Sequence, residues 1–112
     1  MPRWAAKADA NQGEIVAELR ARGVTVLYLH RVGMGCPDIA CGYKSRNFFF
    51  EIKDGNKPPS ARRLTDMESL WHVEWNGQVD VIHSAEEALA IMQEDTARDY
   101  NAQVEEWSGG GV

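Results

Sequence analysis

Two short apolar runs joined by a polar tripeptide constrain the fold of this chain more than any other feature. The runs cover residues 38–43 and 47–53, and Lys44, Ser45 and Arg46 lie between them. A connection of this length and polarity is typical of a β-hairpin, so the two runs are predicted to form neighbouring antiparallel strands. The fold is therefore expected to contain a sheet built around this pair.

The segment before the hairpin predicts one helix and one strand. Apolar residues recur at helical spacing over residues 11–22, with Asn11 or Asp9 as the N-cap of that helix. Residues 24–30, VTVLYLH, are β-branched and aromatic with almost no charge, which predicts a strand buried on both faces. Residues 31–35 are predicted to form a turn.

The segment after the hairpin predicts a helix, a strand and a second helix. The first helix covers residues 64–75, and Thr65 with Glu68 forms a capping-box pattern at its start. A fourth strand is expected over residues 78–83 and a last helix over residues 84–93. The order αβββαβα indicates an α/β fold with a mixed four-stranded sheet flanked by helices.

The length and composition of the chain indicate one globular unit. A chain of 112 residues can bury one modest core, and its 44% hydrophobic and 26% charged residues exclude a disordered or fibrous protein. Residues 1–94 are predicted to form the domain, and residues 95–112 an acidic extension that is helical or partly disordered. The start lacks the apolar core of a secretion signal, and no run approaches the roughly 18 apolar residues that span a bilayer. A soluble, cytoplasmic protein without a membrane partner is expected.

The net charge of -5 hides an asymmetry along the chain. Residues 1–64 contain 11 Lys or Arg and 6 Asp or Glu, whereas residues 65–112 contain 1 Lys or Arg and 11 Asp or Glu. Basic residues are densest between positions 44 and 63, where they predict binding to the phosphates of DNA unless they form only a solvated loop. The predicted DNA-binding residues are Lys44, Arg46, Lys57, Arg62 and Arg63.

Two charged residues interrupt the apolar run of the third strand. Glu51 and Lys53 flank Ile52 in FFFEIK, and the alternation of a strand puts both charges on one face. Asp38 follows Pro37 at the start of the second strand, and the hairpin returns it beside Glu51. Two adjacent carboxylates can share a divalent cation, which would compensate charges that are otherwise costly on a buried strand. The alternative is that Asp38 caps a turn and that Glu51 and Lys53 form a charged edge of the strand.

Hydrolysis of a phosphodiester fits these residue types. The reaction needs a nucleophilic hydroxide and stabilisation of the charge that develops on the phosphoryl oxygens, and Mg²⁺ held by oxygen ligands supplies both. Lys53 can orient the attacking water or neutralise the transition state. The residues therefore predict a metal-dependent nuclease.

The sequence resembles the PD-(D/E)xK nuclease superfamily over about residues 9–92. The segments HRVGMGCPDIACG, FFFEIKDG, LTDME and WNGQVDVIHSAEEAL resemble, more narrowly, the stand-alone phage-type VRR-NUC proteins. The order of a helix acid, Asp, Glu and Lys is also similar to that in archaeal Holliday-junction resolvases. This resemblance implies a restriction-endonuclease-like core and a phage or prophage origin in a bacterial host cell.

The same resemblance implies roles for individual residues. Asp38, Glu51 and the carbonyl of Ile52 are expected to hold Mg²⁺, for which Mn²⁺ is expected to substitute. Lys53 is expected to be catalytic, and Glu14 on the first helix to assist, although Glu14 is otherwise an ordinary exposed helix residue. At the position of Glu68 the family often carries a glutamine.

The resemblance also implies a substrate class. Related junction-resolving enzymes cut DNA as homodimers, so a homodimer acting on branched or four-way-junction DNA, without a nucleotide cofactor, is expected. One alternative is a non-catalytic phage accessory protein of the same fold that binds DNA or a host protein. Another is a sequence-specific restriction enzyme, for which 112 residues leave little room to read bases in the major groove.

Three smaller patterns have ordinary structural interpretations. Trp71 and Trp75 lie one helical turn apart, which predicts core or dimer-interface packing rather than base stacking. The glycines of the turn at residues 31–35 supply flexibility and could let DNA approach the backbone. Cys36 and Cys41 are too few for a disulfide scaffold or a structural zinc site, so reduced thiols are expected.

Overall fold

A computed structural model describes the backbone of residues 11–110, and the side chains of these residues except 102 and 104–110. The observed order of elements is the predicted αβββαβα. The helices and strands are α1 Gln12–Ala21, β1 Thr25–Tyr28, β2 Ile39–Tyr43, β3 Arg46–Ile52, α2 Asp66–Glu74, β4 Asp80–Ile82 and α3 Ala85–Gly110. A single 3₁₀ turn, Pro59–Ala61, lies between β3 and α2.

The four strands form one mixed sheet in the order β1-β2-β3-β4. The first three strands are antiparallel neighbours, with Tyr28 opposite Ile39 and Ile39 opposite Phe50. β4 pairs parallel to β3, with Phe50 opposite Asp80. A parallel pair needs a crossover connection, and α2 lies within that connection. The predicted α/β fold with a four-stranded mixed sheet, consistent with a restriction-endonuclease-like core, is confirmed.

The hydrophobic core lies between one face of the sheet and the helices α1 and α3. Side chains of β3 alternate, so that Phe48, Phe50 and Ile52 are buried in this layer. The helices contribute buried residues at helical spacing, namely Ile15, Val16 and Leu19 from α1 and Ala85, Ala88, Leu89 and Met92 from α3. The opposite face of the sheet, the second face, carries Phe49 and Glu51.

The β2–β3 hairpin turns through two residues rather than three. Lys44 and Ser45 have φ values of 52° and 64°, and Arg46 already belongs to β3. Two successive left-handed residues are typical of the tight turn whose twist matches that of the flanking strands. The hairpin register therefore follows directly from this turn.

α2 packs on the second face through an aromatic cluster formed by Phe49, Trp71 and Trp75. The two tryptophan rings stack with their centroids 4.7 Å apart, and each meets Phe49 edge-on. The side chain of Gln78 bonds to both the N–H and the carbonyl of Phe49, at 2.7 and 2.9 Å. The tryptophans are thus packing residues, as their spacing predicts, although Trp75 stays 40% exposed.

The predicted burial of β1 on both faces is wrong. β1 is an edge strand, and the side chain of Leu27 on the second face is 62% exposed. No described helix covers this part of the sheet, so Leu27, Ala40 and Phe49 line an open groove of about 530 Å³ instead. The apolar sequence of β1 therefore reflects this groove as well as the core.

The last helix continues into the acidic extension. α3 runs from Ala85 to Gly110, so the helix predicted over residues 84–93 and the extension, predicted to be helical or partly disordered, form one helix through residue 110. Arg46 forms ion pairs with Asp95 and Asp99, and the hydroxyl of Thr96 donates to the carbonyl of Met92, so the acidic extension continues as helix. None of the helices within residues 11–110 has a stretch apolar enough to cross a lipid bilayer.

Candidate functional site

Asp38 and Glu51 meet where β2 begins and β3 ends. Ile39 lies opposite Phe50, so the same register continued by one pair puts Asp38 opposite Glu51. The carboxylate of Asp38 accepts a hydrogen bond of 2.7 Å from the N–H of Ile52. The hairpin thus brings together the two carboxylates that the sequence predicts to be neighbours.

Glu51 is a buried carboxylate with an incomplete set of partners. Its side chain is 2% exposed, and its Oε1 atom is buried without a hydrogen-bond partner. Burial, then the hydrogen bond and charge of Asp38, then Glu68, raise the pKa of Glu51 far above its usual range. The site therefore favours either a proton or a cation between these carboxylates.

Lys53 lies beside this carboxylate pair on the second face. Its Nζ atom is 3.7 Å from Oε2 of Glu51 and 2.9 Å from Oε1 of Glu68. Its backbone N–H donates to the carbonyl of Ile82 on β4, at 3.0 Å. Strand pairing therefore fixes the backbone of Lys53, while two carboxylates surround its ammonium group.

Glu68 reaches the site from the first turn of α2. Thr65 and Glu68 form the predicted capping box, in which Oε1 of Glu68 accepts from the N–H of Thr65 at 2.8 Å. Burial acts to raise the pKa of Glu68, but the bonds from Thr65 and Lys53 outweigh it, and the pKa is lowered. The capping box is visible in the sequence, but the contact with Lys53 is not, because 15 residues separate the two partners.

The oxygen atoms at this point of the sheet fit a hard cation such as Mg²⁺. Asp38 and Glu51 provide carboxylates, and Oε1 of Glu51 is without a partner. The N–H of Ile52 points at Asp38, and a strand residue directs its N–H and carbonyl to the same side, so the Ile52 carbonyl lies on the side of Asp38. Mg²⁺ usually takes one or two carboxylates and keeps several waters.

Side chains alone do not make a complete metal centre. Within the described part of the chain, no group of three or more His, Cys, Asp or Glu side chains is placed to hold a metal ion. A cation between the two carboxylates would need a backbone carbonyl and water as further ligands, as in the ligand set predicted for Asp38, Glu51 and Ile52.

The structure does not bring Glu14 into the carboxylate pair. Glu14 is exposed on α1 and lines a separate cavity of about 430 Å³ together with Asp54 and His83. The carboxylates that raise the pKa of Glu51 are Asp38 and Glu68. α1 packs on the core face of the sheet, whereas Glu51 points to the second face, so the assisting role of Glu14 stays a prediction without a supporting contact.

The five predicted DNA-binding residues fall into two groups. Lys44 and Arg46 lie at the turn end of the hairpin, and five strand residues of about 3.3 Å each put Arg46 roughly 17 Å from Glu51. Arg46 is also paired with acidic residues of α3. The remaining three, Lys57, Arg62 and Arg63, lie in the segment between Lys53 and Thr65, whose two ends are both held at the site.

The sequence did not predict that Cys36 and Gly35 lie beside the site. Burial, then the charges of Glu51 and Asp38, raise the pKa of the Cys36 thiol. Cys36, which precedes β2, and Cys41, within β2, are both free thiols, as predicted. Gly35 has a φ of 79°, and a Cβ there would overlap the backbone of Met67. The close approach that this glycine allows is therefore to α2.

Comparison with family models, with curated proteins and with solved structures finds no match to this chain. The functional interpretation therefore depends on the arrangement of Asp38, Glu51, Lys53 and Glu68.

Proposed function

We propose that this protein is a metal-dependent DNA endonuclease, and that Asp38, Glu51 and Lys53 form the active site in which phosphodiester bonds are hydrolysed. The observation that carries the proposal is the burial of Glu51 against a second carboxylate, with one of its oxygens unpartnered. A purely structural ion pair with Lys53 needs only one carboxylate. A pair of them is explained better by a divalent cation that both would hold.

Asp38, Glu51 and the carbonyl of Ile52 are the proposed ligands of Mg²⁺, with Mn²⁺ as a substitute. When bound, the ion supplies a nucleophilic hydroxide and stabilises charge on the phosphoryl oxygens. The ammonium of Lys53 adds a fixed positive charge that can bind a phosphoryl oxygen as negative charge develops there. Burial of Lys53, whose side chain is 12% exposed, strengthens that interaction because little water screens it.

Branched DNA is the proposed substrate, and a homodimer the proposed assembly. Lys57, Arg62 and Arg63 lie in the segment that joins Lys53 to Thr65 and would supply positive charge for the DNA backbone on either side of the cleaved bond. Met67, Leu70 and Val73 are large apolar side chains of α2 that remain more than half exposed, which supports a surface covered by a second subunit. Two subunits would present two sites to two strands.

Incubation of the purified chain with linear, flapped and four-way-junction DNA tests the proposal. Cleavage is expected with Mg²⁺ or Mn²⁺, and none in the presence of a chelator, with branched DNA cut fastest. The products should carry 5′-phosphate and 3′-hydroxyl ends, which a ligase can rejoin. A chain that binds these substrates but leaves every one intact with both metals would instead support the non-catalytic accessory protein.

A further inference from the structure

We propose that Glu68 is a positioning residue, which holds the ammonium of Lys53 at the carboxylate pair and couples the docking of α2 to the geometry of the site. This inference rests on the proposed function. Glu68 is not proposed to touch the DNA or a metal ion, and it acts only through Lys53.

One oxygen atom of Glu68 connects the helix to the strand. Oε1 accepts from the N–H of Thr65 at 2.8 Å and from Nζ of Lys53 at 2.9 Å. The N–H of Glu68 in turn donates to the hydroxyl of Thr65, at 3.2 Å. The carboxylate is therefore fixed by the backbone of the first turn of α2 and is not free to rotate, so the position of this turn sets the position of the ammonium group.

α2 itself is held by a small number of contacts. None of its described residues is buried, and it rests on the second face through Phe49, Trp71 and Trp75. Near its start, the backbone of Met67 packs against Gly35. These contacts determine the position of the Glu68 carboxylate, and the Glu68 carboxylate in turn determines the position of the Lys53 ammonium.

A lysine side chain needs such a restraining hydrogen bond more than a shorter side chain does. Its four-carbon stem has a rotamer entropy of about 2 kcal/mol, so an unrestrained ammonium group samples many positions. The ammonium of Lys53 is 3.7 Å from Oε2 of Glu51, which is beyond hydrogen-bonding distance, and a cation shared by Asp38 and Glu51 would also repel it. Glu68, whose Oε1 accepts from Nζ at 2.9 Å, is placed to keep Lys53 in position with or without that cation.

The chain contains a matched control for the capping function of Glu68. Glu87 occupies the corresponding position at the start of α3, where its N–H donates to the hydroxyl of Ser84 at 3.1 Å. Its carboxylate accepts from the N–H of His83 at 2.8 Å. Replacing Glu87 therefore removes a capping glutamate without removing a contact to Lys53.

The test compares Glu68→Ala, Glu68→Gln and Glu87→Ala by two measurements. The first is NMR of the Lys53 side chain, labelled with ¹⁵N and ¹³C, in the metal-free protein. Lys53 should become mobile in Glu68→Ala. It should stay ordered in Glu68→Gln, because the glutamine oxygen can accept both hydrogen bonds that Oε1 accepts. It should also stay ordered in Glu87→Ala, which leaves Glu68 unchanged. The second measurement is the steady-state rate of cleavage. Glu68→Ala should lower kcat on the order of 10- to 100-fold with KM nearly unchanged, whereas Glu68→Gln should keep most of the kcat of the unaltered protein.

The two measurements separate the two proposals. An immobile Lys53 in Glu68→Ala, or a kcat in this variant equal to that in Glu87→Ala, would overturn the role of Glu68 while leaving the nuclease intact. Absence of cleavage by the unaltered chain would overturn the proposed function, and the NMR measurement would still decide whether Glu68 holds Lys53. If Glu68→Ala does not fold, a mobile Lys53 or a low kcat in Glu68→Gln contradicts the inference, because that variant keeps both hydrogen bonds.

Discussion

The ammonium of Lys53 lies 3.7 Å from a carboxylate oxygen of Glu51, two residues earlier along the chain. The alternation of a β-strand puts both on the second face, where Asp38 joins them from the neighbouring strand. A buried carboxylate, Glu51, and a half-buried one, Asp38, beside one ammonium leave negative charge that is not fully compensated. The protonation of Glu51 should therefore control both the stability of the protein and its affinity for cations.

The first prediction concerns stability against pH in the absence of metal. Burial, followed by the influence of Asp38, raises the pKa of Glu51 in the folded chain above its ordinary value of 4.5. Above this value the unfolded chain has lost the proton that the folded chain keeps, so the free energy of unfolding should fall as pH rises toward the folded pKa. The slope is at most about 1.4 kcal/mol per pH unit.

Denaturant unfolding with a chelator, at a series of pH values above 4.5, measures this slope. Glu51→Gln should flatten it, whereas Glu18→Gln, on the exposed surface of α1, should leave it unchanged. Identical slopes in the unaltered protein and in Glu51→Gln would show that Glu51 does not hold the proton.

The second prediction concerns stabilisation by divalent cations. A cation that binds only the folded state at 100 times its dissociation constant adds about 2.7 kcal/mol to the free energy of unfolding. Mg²⁺ and Mn²⁺ should therefore raise the melting temperature, and binding should release a proton because Glu51 must ionise. Asp38→Ala should remove both effects, which calorimetry in buffers of different ionisation enthalpy can detect. Equal stabilisation of Asp38→Ala would locate the cation elsewhere.

The third prediction separates two glycines in the loop before β2. Gly33 and Gly35 both have left-handed backbone, with φ of 74° and 79°. Alanine at either position should cost about 1 to 2 kcal/mol from this conformation alone. A Cβ at Gly33 meets nothing within 4 Å, whereas one at Gly35 overlaps the backbone of Met67, so Gly35→Ala should cost about 1 to 3 kcal/mol more. Equal losses in urea unfolding would mean that α2 does not pack against Gly35.

The fourth prediction concerns the hairpin turn. Ser45 has a φ of 64° at the second position of the turn, where glycine is strongly preferred. Ser45→Gly should therefore stabilise the protein by about 0.5 to 1 kcal/mol. Ser69→Gly, in the interior of α2, should destabilise it by a similar amount because glycine is a poor helix former. Thermal unfolding of both variants checks the opposite signs, and a loss of stability in Ser45→Gly would contradict the turn geometry.

Local signals in the sequence predicted much of the fold and part of the site. The hairpin follows from two apolar runs and a polar connection, and the start of α2 follows from Thr65 and Glu68. Alternation along β3 puts Glu51 and Lys53 on one face, and the short turn returns Asp38 to them. Each of these features depends on spacing over a few residues, which a sequence displays directly.

The remaining features depend on which elements lie next to each other. The exposure of Leu27 depends on β1 being an edge strand that no described helix covers on the second face. The length of α3 depends in part on Arg46, a residue of another element, which binds its acidic side chains. The contact between Lys53 and Glu68 depends on how α2 docks. None of these has a periodic pattern in the sequence.

Cleavage and binding of a four-way junction by Asp38→Ala test the central claim most directly. The variant removes one proposed metal ligand, a half-buried side chain on the second face, and Glu18→Ala, on the exposed surface of α1, is its control. Mg²⁺-dependent cleavage should vanish in Asp38→Ala while DNA binding persists, and Glu18→Ala should cleave at the normal rate. A normal rate of cleavage by folded Asp38→Ala would contradict the assignment of the site.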